Sequence, residues 1–107
     1  NRAGFNGTGN SRSSLYFGGQ VGDIHYQVQG NTLLGDQVMH MAALAFTRAS
    51  GTMADRVMAA MEAADAAGGD RRCTCETAPV PETTAACTAR TAHVAYIAIA
   101  DRSSTNG

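Results

Sequence analysis

Two amphipathic segments lie back to back between Gly35 and Gly69, each closed by glycine, and they constrain this 107-residue chain more than any other feature. In the first, Val38, Met41, Ala42 and Ala45 recur at helical spacing, with Leu44 and Phe46 widening the apolar stripe. A helix over about 35–49 follows. Asp36 can sit at its start, where a carboxylate complements the positive end of the helix dipole. Ser50-Gly51 stops it, and Thr52 begins a second helix with Asp55 three residues on, a variant of the capping box. Met53, Val57, Met61 and Ala64 form the apolar face of that helix, while Asp55, Arg56, Glu62 and Asp65 take other faces. Gly68 and Gly69 supply the left-handed backbone that ends it.

The flanking segments read as strands and turns. Residues 4–20 are dense in Gly, Ser and Asn, which predicts a long turn-rich connection. From Val21 the pattern alternates. Ile24, Tyr26 and Val28 share one parity and Asp23, His25, Gln27 and Gln29 the other, as in a half-buried strand ending at Gly30. Ala92–Ala100 is apolar on both parities apart from His93, the pattern of a strand buried on both faces. Residues 1–5 read as the end of a further strand, and 101–107 as a polar tail. With helices in the middle and strands on either side, the expected class is α+β, in one layered domain portion spanning 1–107. The start of the pattern leads us to expect an N-terminal half, continuous or as a partner chain.

Composition narrows function by exclusion. Apolar residues are 44% and charged residues 16%, a globular balance, and the net charge of −1 offers no electrostatic footprint for nucleic acid or an anionic membrane. All eight basic residues are Arg. No apolar run approaches the roughly 20 residues that span a bilayer. Cys73, Cys75 and Cys87 form a C-x-C-x11-C pattern within the insert 73–90. Zinc sites use four ligands at wider spacing, so even with His93 the set fits zinc poorly, and neither metal nor cofactor is expected. A disulfide from Cys87 to Cys73 or to Cys75 fits better, and such a loop closure stabilises by roughly 3 kcal/mol. Bridges of this kind belong to oxidising compartments, hence a secreted or periplasmic expectation.

Chemistry, if any, gathers at the two ends of the helical pair. Gly30 lets the backbone approach a ligand closely, and Gln29 and Asn31 carry amides that could donate to a carbonyl or oxyanion. Structural roles compete: Asn31 can cap a turn and Gln29 can bond a neighbouring strand. At the other end Asp70, Arg71 and Arg72 follow the glycine turn. A guanidinium there can clamp a carboxylate or phosphate, or an Asp–Arg pair can simply fix the helix exit. His25, His40 and His93 lack a catalytic partner at a local motif spacing, and the methionines read as core filling. No G-x-S-x-G, H-E-x-x-H or phosphate-loop motif is present.

Taken together, QGNTLLGDQV at 29–38, AF at 45–46, MADRVMAAMEAADAAGGDRR at 53–72 and TAHVAYI at 91–97 resemble the bacterial domain of unknown function 1028 family. That family is grouped with N-terminal-nucleophile (Ntn) hydrolase-like proteins, and the cysteine insert after Arg72 resembles its longer, exported branch. The resemblance implies an αββα sandwich, with this chain supplying strands and one helical layer of the C-terminal half. It implies hydrolysis of a small amide, with Gln29, Asn31, Asp70 and Arg71 lining the site. The nucleophile of such enzymes is an N-terminal Thr, Ser or Cys, and this sequence begins with Asn1, so no catalytic residue is assigned. The alternative is a non-enzymatic extracellular building block that uses the same sandwich for assembly. Under either reading the expected partners are the N-terminal half and further copies of the protein.

Overall fold

Four elements follow one another in the chain: β1 (Tyr16–Val21), β2 (Ile24–Gln29), α1 (Gln37–Arg48) and α2 (Met53–Ala66). They come from a computed structural model that describes residues 5, 7–9, 16–73, 92 and 94–100. The class is α+β, as the sequence pattern predicts.

β1 and β2 form an antiparallel hairpin, with Tyr16 opposite Gln29 and Val21 opposite Ile24. Two residues, Gly22 and Asp23, connect them, and Gly22 has φ +56°. A two-residue turn opening on a left-handed glycine matches the right-handed twist of paired strands. This corrects two expectations. Residues 16–20 belong to a strand rather than a turn-rich connection, and Val21 ends that strand rather than starting the next. Gly19 faces Tyr26 across the ladder, and a Cβ at Gly19 would come within 2.3 Å of the tyrosine oxygen. The glycines of β1 therefore do not interrupt the strand; at Gly19 the missing side chain gives Tyr26 room to lie across the sheet.

Tyr26 also joins sheet to helices. Its ring meets that of Phe46 at 5.5 Å between centroids, tilted by 48°. Such a pair adds about 0.5–1.5 kcal/mol beyond the area it buries. The buried positions of α1 are Val38, Met39, Ala42, Ala43 and Phe46, two adjacent helical rows. Met41 and Leu44, expected inside, are instead 45% and 39% exposed. The helix is apolar nearly all round, so its spacing permits several faces. Tyr26 and α2 select the one that contains Phe46. No residue of α2 is fully buried; Val57, Met61 and Ala64 are half-buried and Met53 is exposed. Arg56, expected on a polar face, is half-buried, and its Nη1 donates to the Phe46 carbonyl at 3.4 Å, tying the helices together.

The helix ends follow the sequence closely. Asp36 occupies the start of α1, but its backbone is helical and its side chain makes no capping bond. Thr52 does cap α2: the Asp55 N–H donates to its hydroxyl at 3.2 Å, and its own N–H and hydroxyl each donate to Asp55 Oδ2 at 2.7 Å. The two donors from Thr52 hold the Asp55 carboxyl below its ordinary pKa. At the far end the Gly68 N–H donates to the Asp65 carbonyl at 2.9 Å and the Gly69 N–H to that of Ala64 at 3.0 Å. This is a Schellman closure, with φ +105° and +54° at the two glycines.

One expected strand does not form. Residues 94–100 carry no strand assignment, and Val94, Tyr96 and Ile99 are 79%, 84% and 58% exposed. Apolar side chains on both parities are buried only when a sheet neighbour and two covering layers are present, and among the described residues none pairs with this segment. Of the expected strand at 1–5, Phe5 carries no strand assignment and 1–4 lie outside the described residues, as do the 73–90 insert beyond Cys73 and the 101–107 tail.

Thr52→Ala removes the cap and is expected to lower the melting temperature by roughly 4–8 °C at neutral pH. The linked acid dependence has a definite sign. A carboxyl with a depressed folded-state pKa stabilises above its unfolded value and loses that contribution as pH falls through the folded value. The gap between the melts of the native chain and Thr52→Ala should therefore narrow as pH falls from 6 and Asp55 is protonated, leaving the part due to the Asp55 N–H bond to the Thr52 hydroxyl. A gap that stays constant with pH would show that the Thr52 side chain does not stabilise the Asp55 carboxylate.

Candidate functional site

The glycine closure of α2 returns the chain to the loop that follows β2. The Leu34 N–H donates to the Gly69 carbonyl at 2.9 Å, and the Arg71 N–H donates to the Thr32 carbonyl at 3.0 Å. Leu33 and Asp70 form the antiparallel bridge between these bonds. Two ends of the helical pair are thus zipped together by backbone hydrogen bonds. Leu34 fills the space above Gly68, where a Cβ would stand 2.2 Å from its Cδ2, so a side chain there would strain the backbone at φ +105° and push the leucine aside.

Within this crossing the candidate residues take different positions. Asn31 is exposed and adjoins Thr32, whose carbonyl receives Arg71; Arg71 itself is half-buried. Asp70 sits in the bridge with its side chain 21% exposed. Gln29 ends β2, exposed, and among the described residues no hydrogen bond links its side chain to 69–72. The structure therefore joins Asn31, Asp70 and Arg71 at one crossing and leaves Gln29 at its margin.

Asp70 is engaged locally. Its Oδ1 accepts from the Arg72 N–H at 2.8 Å and from Arg72 Nε at 2.9 Å; Oδ2 accepts from Nε at 3.1 Å and from Nη2. The carboxylate raises the already high pKa of the Arg72 guanidinium. With the Cys73 N–H donating to the Asp70 carbonyl at 2.9 Å, the segment folds into a tight turn. Of the two roles open for these charges, the contacts to Arg72 match the pair that fixes the helix exit. The pair is exposed on the arginine side, where such bridges contribute little to stability.

Thr32 is a feature that sequence reading misses. Its φ is +62°, and it is the one positive-φ residue other than glycine among the described residues. For a β-branched residue the left-handed region is an outlier, normally found where surrounding contacts over-determine the backbone. The Arg71 bond to its carbonyl and the Leu34 bond to Gly69 do that here. No local sequence signal announces it, because Asn31, beside it, is the residue that normally takes this conformation.

Beside the crossing lies a groove of about 610 Å³, with Leu33, Val38, Met61, Ala64, Asp70 and Tyr96 among its lining. A smaller cavity of about 270 Å³ lies between β2 and the helices, against Tyr26, Phe46, Val57 and Met61. Cys73 is a buried free thiol; Cys75, Cys87 and His93 lie outside the described residues, as does any bridge between the first two. Among the described residues no three of His, Cys, Asp and Glu cluster as a metal site, and no helix is long and apolar enough to cross a membrane.

The model of a family of unknown function, DUF1028, matches residues 1–98, which is nearly the whole chain. The chain belongs to that family. No curated protein and no solved structure matches it. Membership of DUF1028 covers both halves of the crossing, so the 29–38 and 53–72 motifs are read together as one family unit rather than as two coincidental turns.

The backbone strain at Thr32 yields a direct test. Thr32→Gly removes a left-handed penalty of about 1–2 kcal/mol and adds unfolded-state entropy of somewhat smaller size. A net stabilisation of about 0.5 kcal/mol is expected in urea unfolding. Gly68→Ala, by contrast, should destabilise by more than about 1 kcal/mol, since φ is wrong for alanine and Leu34 occupies the space. Destabilisation of Thr32→Gly would mean that the threonine side chain is required at the crossing.

Proposed function

We propose that this DUF1028 chain is the C-terminal portion of an exported Ntn-hydrolase-like protein that cleaves small amides. Asn31 would orient the carbonyl, and Arg71 would bind a carboxylate of the substrate, with Asp70 and Arg72 holding the loop. Gln29, at the margin, would contact the far end of the substrate. The nucleophile would be an N-terminal Thr, Ser or Cys on a segment outside residues 1–107, with its own amine as base. In the full protein the hairpin and helices would belong to an αββα sandwich. One observation carries this reading: the backbone pairing of 32–34 with 69–71, which unites the polar residues of both family motifs at one strained crossing. Strained backbone beside converging polar groups is a frequent property of functional sites.

A second reading has its own support. Val94, Tyr96 and Ile99 present an exposed apolar surface, and surfaces of that kind mark association sites. On this reading the protein is an extracellular assembly subunit built on the same fold, without catalysis.

The test uses the full-length native protein with a panel of N-acyl amino acids and small carboxamides, following product formation by mass spectrometry. Turnover is expected to fall at least tenfold in Asn31→Ala and Arg71→Ala, with unchanged circular dichroism. Absence of turnover across the panel, together with no covalent labelling by a β-lactone electrophile, would remove the hydrolase reading in favour of the assembly subunit.

A further inference from the structure

α1 buries Val38, Met39, Ala42, Ala43 and Phe46 on one side, and its opposite side carries a second pattern. Gln37, Met41, Leu44 and Arg48 are all exposed and follow one another at intervals of four, three and four residues. That spacing is the seam of a two-helix coiled coil, a stripe that keeps to one face along the helix. A single surface leucine or methionine needs no explanation, but two neighbours on one stripe form an apolar patch. The stripe is also arranged about a centre. Met41 and Leu44 are equidistant from the midpoint between residues 42 and 43, and so are Gln37 and Arg48. Charges of opposite sign stand at its two ends, Asp36 at the start of the helix and Arg48 in its last turn. Both are exposed, the Asp36 side chain makes no capping bond, and neither residue joins a salt bridge among the described residues.

We infer that this stripe is an interface between two copies of the chain, with their α1 helices packed antiparallel about a two-fold axis. An axis through the midpoint sets Met41 of one copy against Leu44 of the other, twice, and the patch closes on itself. The same operation brings each Arg48 to Gln37 and Asp36 of the other copy, so both ends of the seam gain an opposite charge. It also sets the negative end of each helix dipole beside the positive end of the other. This self-complementarity selects a second copy over other occupants. A membrane surface calls for a helix rich in basic residues, whereas this face carries one Arg with Asp36 at its other end. A small ligand calls for a concave site, and the outer side of a helix is convex. Twelve residues at about 1.5 Å each give a seam roughly 18 Å long. Such a strip lies at the low end of interface sizes, so the dimer is weak, with a dissociation constant on the order of 10–100 μM. The inference does not rest on amide hydrolysis, since association is read without turnover.

Sedimentation equilibrium of the full-length native protein, over concentrations that bracket that constant, tests the pairing by charge exchange. The native protein is expected to dimerise reversibly. Leu44→Glu puts a charge at the centre of the seam and should weaken the dimer about tenfold or more. Asp36→Arg and Arg48→Glu should each weaken it about tenfold, because each sets like charges together at both ends. An equimolar mixture of these two variants should regain a heterodimer of native strength, and so should both substitutions in one chain. Only antiparallel pairing of the two positions gives that rescue. All three residues are exposed, so the folded state is expected to survive, and circular dichroism verifies it. Leu44→Glu leaves the helix ends untouched and keeps the test valid where an end substitution unfolds α1. A protein that stays monomeric throughout overturns the inference. So does a dimer indifferent to Leu44→Glu, which then uses another face, or a charge exchange between folded variants that brings no rescue.

Discussion

The pairing of residues 32–34 with 69–71 is the constraint on which the arrangement depends. A helical hairpin alone fixes α1 against α2 but leaves both of its outer ends loose. Two backbone hydrogen bonds, Leu34 to Gly69 and Arg71 to Thr32, close those ends into a ring. Each satisfies polar groups that a helix exit and a strand exit otherwise leave to water. Once the ring is closed, α1 is held where Phe46 meets Tyr26, and the hairpin acquires the covering that a two-stranded sheet needs to persist.

The ring is closed at the expense of local backbone geometry. Gly68 and Gly69 take left-handed φ without strain, which a side chain at Gly68 would reintroduce while also displacing Leu34. Thr32 takes a left-handed φ with no such exemption. A strained residue whose carbonyl is bonded to the exit of α2 ties the conformation of the β2 loop to that of α2. Displacement of either loop must break the same two bonds, so Asn31 on one side and Asp70 on the other are positioned together. This coupling is a property of the main chain and does not depend on the exposed Asp70–Arg72 pair.

Much of this was legible in the sequence because it is written in local terms. The helix stops at Ser50-Gly51 and Gly68-Gly69, and the Thr52/Asp55 box, are encoded within four residues and appear where the pattern puts them. The hairpin turn was missed: Gly22-Asp23 between two runs is a two-residue turn signal, but the glycines of β1 and the alternation that runs through Val21 hide it. What local pattern cannot supply is the choice of a buried face on α1. Val38, Met39, Met41, Ala42, Leu44 and Phe46 allow more than one stripe, and the tertiary contact of Phe46 with Tyr26 decides among them. Thr32 belongs to the same category, because its φ is imposed by a bond from a residue 39 positions away. The pairing partner of Asp70 was half legible, since the sequence offers two arginines and only the turn geometry selects Arg72.

The 94–100 segment shows the opposite limit. Its sequence has as strong a strand character as any in the chain, with Val, Tyr and Ile spaced among alanines and no charge. β propensity of this kind expresses fit to a pleated, covered surface rather than an intrinsic backbone preference. Among the described residues the segment has no ladder neighbour, and Val94, Tyr96 and Ile99 stay exposed. Helical elements behave differently, because their hydrogen bonds are internal. α2 forms although none of its residues is fully buried, supported by a cap at one end and a Schellman closure at the other. The chain thus divides by the source of its hydrogen bonds. Elements whose partners lie within a few dozen residues are complete here, and the one whose pattern requires a sheet on both sides presents an apolar surface that any account of this protein's function has to cover.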